Sequence, residues 1–154
     1  MEITIRKAKE QDFPELVRLI QEFSLFVGTP EKVSITAAQL EENKSLFHCF
    51  VVTDKQNKIL GFATCFYAFY SWSGKALYLD DLYVKEAFRN QGLGKSLLYA
   101  VIEMAKAQKC RKVRWQVSRW NTQAIGFYKH IGAEIDEVEL NCDYTLVTDG
   151  PLHT

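Results

Sequence analysis

Nowhere in the 154-residue sequence do apolar residues run on long enough to span a bilayer, which takes about eighteen or more. It also lacks an excess of charge of either sign, because nineteen Lys and Arg balance nineteen Asp and Glu. That balance removes the electrostatic footprint of a nucleic-acid or anionic-membrane binder, so no nucleic-acid and no membrane partner is expected. The four cysteines, Cys49, Cys65, Cys110 and Cys142, form no C-x-x-C and no paired histidine spacing. No metal site is expected from them. Cys49, Cys65 and Cys142 sit in strand-like contexts and read as free buried thiols of a reducing compartment. The start, "MEITIRKAKE", has no apolar h-region, and the expectation is a cytoplasmic protein. Repeats, low-complexity tracts and linkers rich in Pro, Gly or Ser are missing too, which predicts one domain over residues 1–154.

What is there is regular patterning. "EITIRKA" alternates as a first strand. "DFPELVRLIQEFSLFV" follows, with Asp12 as an acidic cap, Pro14 in the first turn, and Leu16, Val17, Ile20 and Phe23 at helical spacing. Thr36 and Gln39 form a capping-box pair for a second, shorter helix. "LFHCFVVTD", "KILGFATCFYAFY" and "KALYLDDLYV" are dense in aromatic and β-branched residues and are joined by short polar turns, so they predict antiparallel strands. In "KSLLYAVIEMAKAQK", Leu97, Leu98, Val101 and Ala105 share one face. "KVRWQVS" alternates as a strand, and "NTQAIGFYKHIG" reads as a helix with Asn121 as N-cap and Gly132 past its end. Two last strands are expected around "AEIDEV" and "DYTLV". The order β-α-α-β-β-β-α-β-α-β-β makes an α+β fold whose mixed sheet needs one parallel pair across a helix.

"RNQGLGKS", Arg89 to Ser96, ends like a nucleotide phosphate loop. That template needs a glycine five residues before Gly94, and Arg89 stands there. The loop still suits an anion. Gly92 and Gly94 let the backbone turn sharply, the amides that follow open a helix, and Arg89 and Lys95 add charge at each end.

"LYLDDLYVKEAFRNQGLGKSLL" resembles the acetyl-CoA-binding segment of the GNAT superfamily of N-acetyltransferases, whose loop reads [RQ]-x-x-G-x-[GA]. "WNTQAIGFYKHIGA" resembles the second segment of that family. Within it, "FHCFVV" and "YSWSGKALYLDDLYV" are most similar to the diamine (spermidine/spermine) N-acetyltransferases. The resemblance implies the GNAT fold, acetyl-CoA as cosubstrate and a small-molecule amine as acceptor. It implies that Arg89, Asn90, Gln91, Gly92, Leu93, Gly94 and Lys95 hold the pyrophosphate. Leu82, Tyr83 and Val84 would pair with the pantetheine arm, with Asn121 on the same arm, which requires the fourth and fifth strands to splay apart. Tyr128 would be the general acid, and Asp80 the carboxylate that orients the amine or accepts its proton. Adjacent residues on a strand point to opposite faces unless a bulge intervenes, so Asp80 and Asp81 are not expected to face the cleft together.

The likeness departs at acidic positions of that branch. The family's Tyr-Glu after the first helix falls at Phe26-Val27, its Asp two before Trp72 falls at Tyr70, and its late Glu falls at Leu140. Without those counter-ions a long polyamine is not the expected acceptor. A cleft lined by Phe26, Tyr70 and Trp72 suits a smaller amine, diamine-like or amino-acid-like. Acetylation of a protein lysine or N-terminus, or a non-catalytic acetyl-CoA-binding module, are the alternatives. Aromatic and apolar residues late in the chain, together with family habit, suggest a homodimer.

Overall fold

A computed structural model describes residues 1–146. It falls into two compact units, one ending at Trp115 and the other beginning at Gln116. The first holds β1 (Thr4–Lys7), α1 (Phe13–Phe26), α2 (Ala37–Glu42), β2 (His48–Thr53), β3 (Ile59–Tyr70), β4 (Gly74–Val84), α3 (Leu93–Ala107) and β5 (Lys112–Arg114). The strands lie side by side in sequence order, antiparallel except for the β4–β5 pair, which is parallel across α3. This is the mixed α+β sheet that the patterning predicts.

Alternation of side chains along the strands gives the sheet two faces. On one, Phe13, Leu16 and Leu19 of α1 pack with Cys49, Val51, Phe62 and Tyr83. On the other, α3 lies against β2, β3 and β4 and buries the stripe Leu97, Leu98, Val101 and Ala105. Each fully buried leucine in such a stripe stabilises the fold by roughly 1.5–3 kcal/mol. Gly61 leaves no room for a side chain against β4, since a Cβ there would stand 2.6 Å from the Tyr83 carbonyl oxygen.

Asp12 does not cap α1 as the pattern suggests. Its backbone is already helical, with φ −81° and ψ −17°, and its carboxylate is taken elsewhere. Arg6 donates to both its oxygens, at 2.8 and 3.1 Å, and the Lys9 amide donates to it at 2.7 Å. The capping box of α2 forms as expected, Thr36 accepting from the Gln39 amide.

The second unit holds α4 (Thr122–His130), followed by Gly132 at φ +97°. The strand expected around "AEIDEV" does not form. The Asp136 carboxylate accepts from the amides of Val138 and Glu139, at 2.8 and 3.4 Å, so a local turn competes with extended pairing. Residues 143–146 of "DYTLV" are also without strand structure, and Val147 lies outside the described residues. Cys142, expected to be buried, is exposed, while Cys49 and Cys65 are buried as expected.

Candidate active site

Three helices begin in two different ways. At α2 and α4 a side chain closes the first turn, from Thr36 and from Asn121, whose Oδ1 accepts from the Ala124 amide at 3.2 Å. At α3 the N-cap is Gly92, with no side chain to offer, held at φ +79° just after Asn90 at φ +63°. The amides of Leu93, Gly94 and Lys95 therefore open the helix without intrahelical acceptors, facing the loop Asn90–Gln91–Gly92, which is exposed. Such an end favours an anion. The Ser96 hydroxyl donates back to the Gly92 carbonyl at 3.0 Å, so it acts as a helix residue and not as a phosphate-loop serine.

Arg89 departs from its expected place as a loop charge. Its Nε donates to the Val84 carbonyl at 2.9 Å. Its guanidinium lies 4.4 Å from the Phe26 ring centre and 5.3 Å from that of Tyr83. Tyr83 in turn stacks on Phe23 and donates to Glu22 at 2.7 Å. Burial and the Glu22 carboxylate push its phenol up to about 12. Arg89 thus ties the loop to the end of α1.

The pairing of β4 with β5 is short, because β5 ends at Arg114. Pairing stops at Tyr78↔Arg114, and from Leu79 to Val84 the strand is paired on its β3 side alone among the described residues. Beside this edge lies a bulge: Thr64 faces Asp81 and Cys65 faces Leu79, leaving Asp80 as the extra residue. A bulge bends and twists the strand that carries it, and it re-aims side chains. Tyr78, two before Asp80, shares its face, and Asp81 lies opposite Thr64 on that same face. Both carboxylates therefore stand on the α1 side, against the expectation that the pair would be divided between faces.

Thr64 donates to Asp81 Oδ2 at 2.5 Å. Burial and the neighbouring Asp80 charge raise the Asp81 carboxyl to about 6, with the Thr64 hydrogen bond pulling the other way. Asp80 is raised by burial as well, though its tip is open to solvent. Cys49 faces Thr64 from β2, so the row across the sheet is Cys49, Thr64, Asp81. Thr64 carries no sequence signal of its own; only the register reveals it.

The residues expected to line an acceptor cleft do not gather at one point. Phe26 packs at the Tyr83 end of β4, and Tyr70 pairs with Gly74 at the other. At about 3.3 Å per residue those ends are about 30 Å apart along the strand. Trp72 sits in the β3–β4 turn and is fully exposed. Tyr70 carries two protein cations over its ring, Lys112 Nζ at 4.7 Å and Arg114 Cζ at 4.4 Å. In the second unit, Asn121 and Tyr128 lie seven residues apart on α4, and burial raises the Tyr128 phenol.

The profile of the acetyltransferase (GNAT) family matches residues 13–133, well over half of the chain. The chain belongs to the GNAT family. It is 30% identical to a thialysine N-epsilon-acetyltransferase of Bos taurus over 143 residues, 86% of this chain and 84% of that one. It is 33% identical to the human spermidine/spermine N(1)-acetyltransferase-like protein 1 over 84% of this chain, which spans 20% of that longer protein. Among solved structures, an aminoglycoside acetyltransferase from an uncultured soil metagenomic sample, in complex with trehalose, superimposes with a TM-score of 0.77 at 25% identity, covering 94% of this chain and 97% of that one.

GNAT proteins use acetyl-CoA as cosubstrate, and the chain meets two of its needs. The start of α3 offers main-chain amides to a phosphate-bearing group, and no side chain caps it. The free edge of β4 offers backbone groups to an amide-containing arm, except that the Val84 carbonyl is already taken by Arg89.

Proposed function

We propose that this GNAT protein is an acetyl-CoA-dependent N-acetyltransferase acting on a primary amine of a small molecule. One observation carries the reading: Asp80 and Asp81 share a face beside an open strand edge, and neither is paired with a cation among the described residues. Carboxylates left without a counter-ion attract an ammonium, and a raised pKa suits one for accepting a proton near neutrality. The relatives named for thialysine and for spermidine/spermine support an amine acceptor.

Acetyl-CoA, when bound, supplies the activated acetyl thioester. The chain's residues do the rest. The α3 amides from Leu93 to Lys95, with Asn90, Gln91 and Gly92, hold the pyrophosphate, and Leu82 and Tyr83 give main-chain hydrogen bonds to the arm and to the acetyl oxygen. Arg89 shapes this loop by its bond to Val84, and Asn121 serves the arm from α4. Asp80 orients the ammonium and takes its proton through water, so that a neutral amine is available to attack. Tyr128 holds the proton that the departing thiolate needs, and burial keeps its phenol protonated at neutral pH. Tyr70 lies on the acceptor side with Asp80. Phe26 and Trp72, at opposite ends of the hairpin, have no part in this reading. A homodimer in the cytoplasm accords with exposed Val138, Leu140, Tyr144 and Leu146 and with four free cysteines; light scattering in solution checks the dimer.

The deciding experiment is an acceptor screen with acetyl-CoA, read by release of free thiol. Turnover of small amines is the expected result, and Tyr128→Phe should lower kcat by about a hundredfold or more. A rate unchanged in that variant removes the acid assignment.

A further inference from the structure

The end of the acceptor face away from Asp81 carries a charge arrangement that the reaction does not use. Tyr70, Tyr78, Lys112 and Arg114 share one face, by register: Tyr70 pairs with Gly74, Ala76 with Lys112, and Tyr78 with Arg114. Gly74 and Ala76 fill little of that face, so the Tyr70 ring can cross β4 and meet both cations on β5, Lys112 at 4.7 Å and Arg114 at 4.4 Å. Phe66 stacks on Tyr78 from the other side, ring centres 5.2 Å apart. The Tyr78 phenol is raised first by burial and then by the charges of Asp80 and Tyr70, and it is lowered by Arg114. Acid and base thus flank one phenol.

We infer that the acceptor is a molecule bearing both a primary ammonium and a carboxylate, with Arg114, helped by Lys112, as the specificity-determining residue that takes the carboxylate while Asp80 and Asp81 take the amine. The inference rests on the amine-acetylation reading and names its substrate class. Tyr78 and Asp80 are two residues apart, about 7 Å along the strand. An amine and a carboxylate separated by four or five carbon atoms reach about 6–8 Å at ordinary bond lengths. Neither Arg114 nor Lys112 forms an ion pair among the described residues, so their charge is held by an aromatic ring and open to a carboxylate. The same two cations repel the second ammonium of a diamine.

Matched acceptors test this directly: L-ornithine against putrescine, and L-lysine against cadaverine, each pair differing by a carboxylate. With the unmodified protein and acetyl-CoA, kcat/KM should favour the amino acid by about tenfold or more. Arg114→Gln should remove that preference from both sides, raising KM for the amino acids and lowering it for the diamines, whose second ammonium is then no longer repelled. Lys112→Gln should remove part of it, and Arg114→Lys should retain part. Diamines equal to or better than the amino acids, or a ratio untouched by Arg114→Gln in a protein with unchanged melting temperature, overturns the inference. Lack of turnover of all four amines is a different result, which removes the amine-acetylation reading itself.

Discussion

The β3–β4 hairpin has two ends built from the same kinds of residue and held in opposite ways. At the bulged end, Phe62 and Tyr83 are buried, Gly61 is pressed against the Tyr83 carbonyl, and Arg89 closes over Tyr83 and Phe26. At the turn, Phe69 and Trp72 stand in solvent, and order comes from cations laid on tyrosine rings, Lys75 on Tyr67 and Arg114 on Tyr70. One end is fixed by volume and the other by charge. A site that must hold a reacting carboxylate gains from the first, while the second is free to be altered by surface residues.

The largest expected effect tests whether the bulge is the chemical end. Asp80→Asn should lower kcat/KM by about a hundredfold, the usual worth of a positioned proton acceptor, and steady-state kinetics at pH 7.5 with the best amine reads it directly. Next, Gly61→Ala sets a Cβ against the Tyr83 carbonyl and should destabilise the fold by about 2–3 kcal/mol in urea unfolding. An unchanged midpoint would show that volume does not govern this end after all.

Asp81→Asn separates chemistry from stability through pH. Asp81 titrates near 6 when folded and near 3.9 when unfolded, so its charge opposes folding. That cost is absent below about pH 4, grows as pH rises towards 6 and is full above it. The asparagine variant should therefore be more stable than the unmodified protein by about 1–2 kcal/mol at pH 8, with the difference vanishing at pH 4. A constant difference across that range would mean that the carboxyl does not titrate as its burial and neighbours imply. At the charge-held end, Trp72→Ala should be the mildest, within about 0.5 kcal/mol in stability and twofold in kcat/KM, because an exposed turn residue loses little. A tenfold rise in acceptor KM would bring the turn into the site and blur the comparison.

Much of this is legible in the sequence because periodicity and turn chemistry agree from β1 through α4. The α3 stripe, the Thr36 and Asn121 caps and the glycine loop all stand where their residue types point. What escapes is what depends on long-range register. Asp12 looks like a cap until Arg6, on another element, takes its carboxylate. Asp80 and Asp81 look divided between faces until the mismatch with Thr64 and Cys65 turns them together. The role of Arg114 could not be read from "KVRWQVS", since it exists only where a parallel strand brings it beside Tyr78. The strand lost at "AEIDEV" fails for a local reason, an aspartate that binds its own backbone.

The small residues Gly74 and Ala76 under the Tyr70 ring carry a consequence for how such a protein could change its diet over evolutionary time. They leave room across β4 for the Tyr70 ring to reach β5, and on the inferred acceptor face what β5 presents becomes the wall met by the acceptor. The strand edge and helix start suited to the shared cosubstrate belong to other residues. Substitutions at positions 112 and 114 could therefore exchange one amine for another while the acetyl-donating half of the enzyme stays as it is, so a lineage could diversify its acceptors by editing two residues of one short strand.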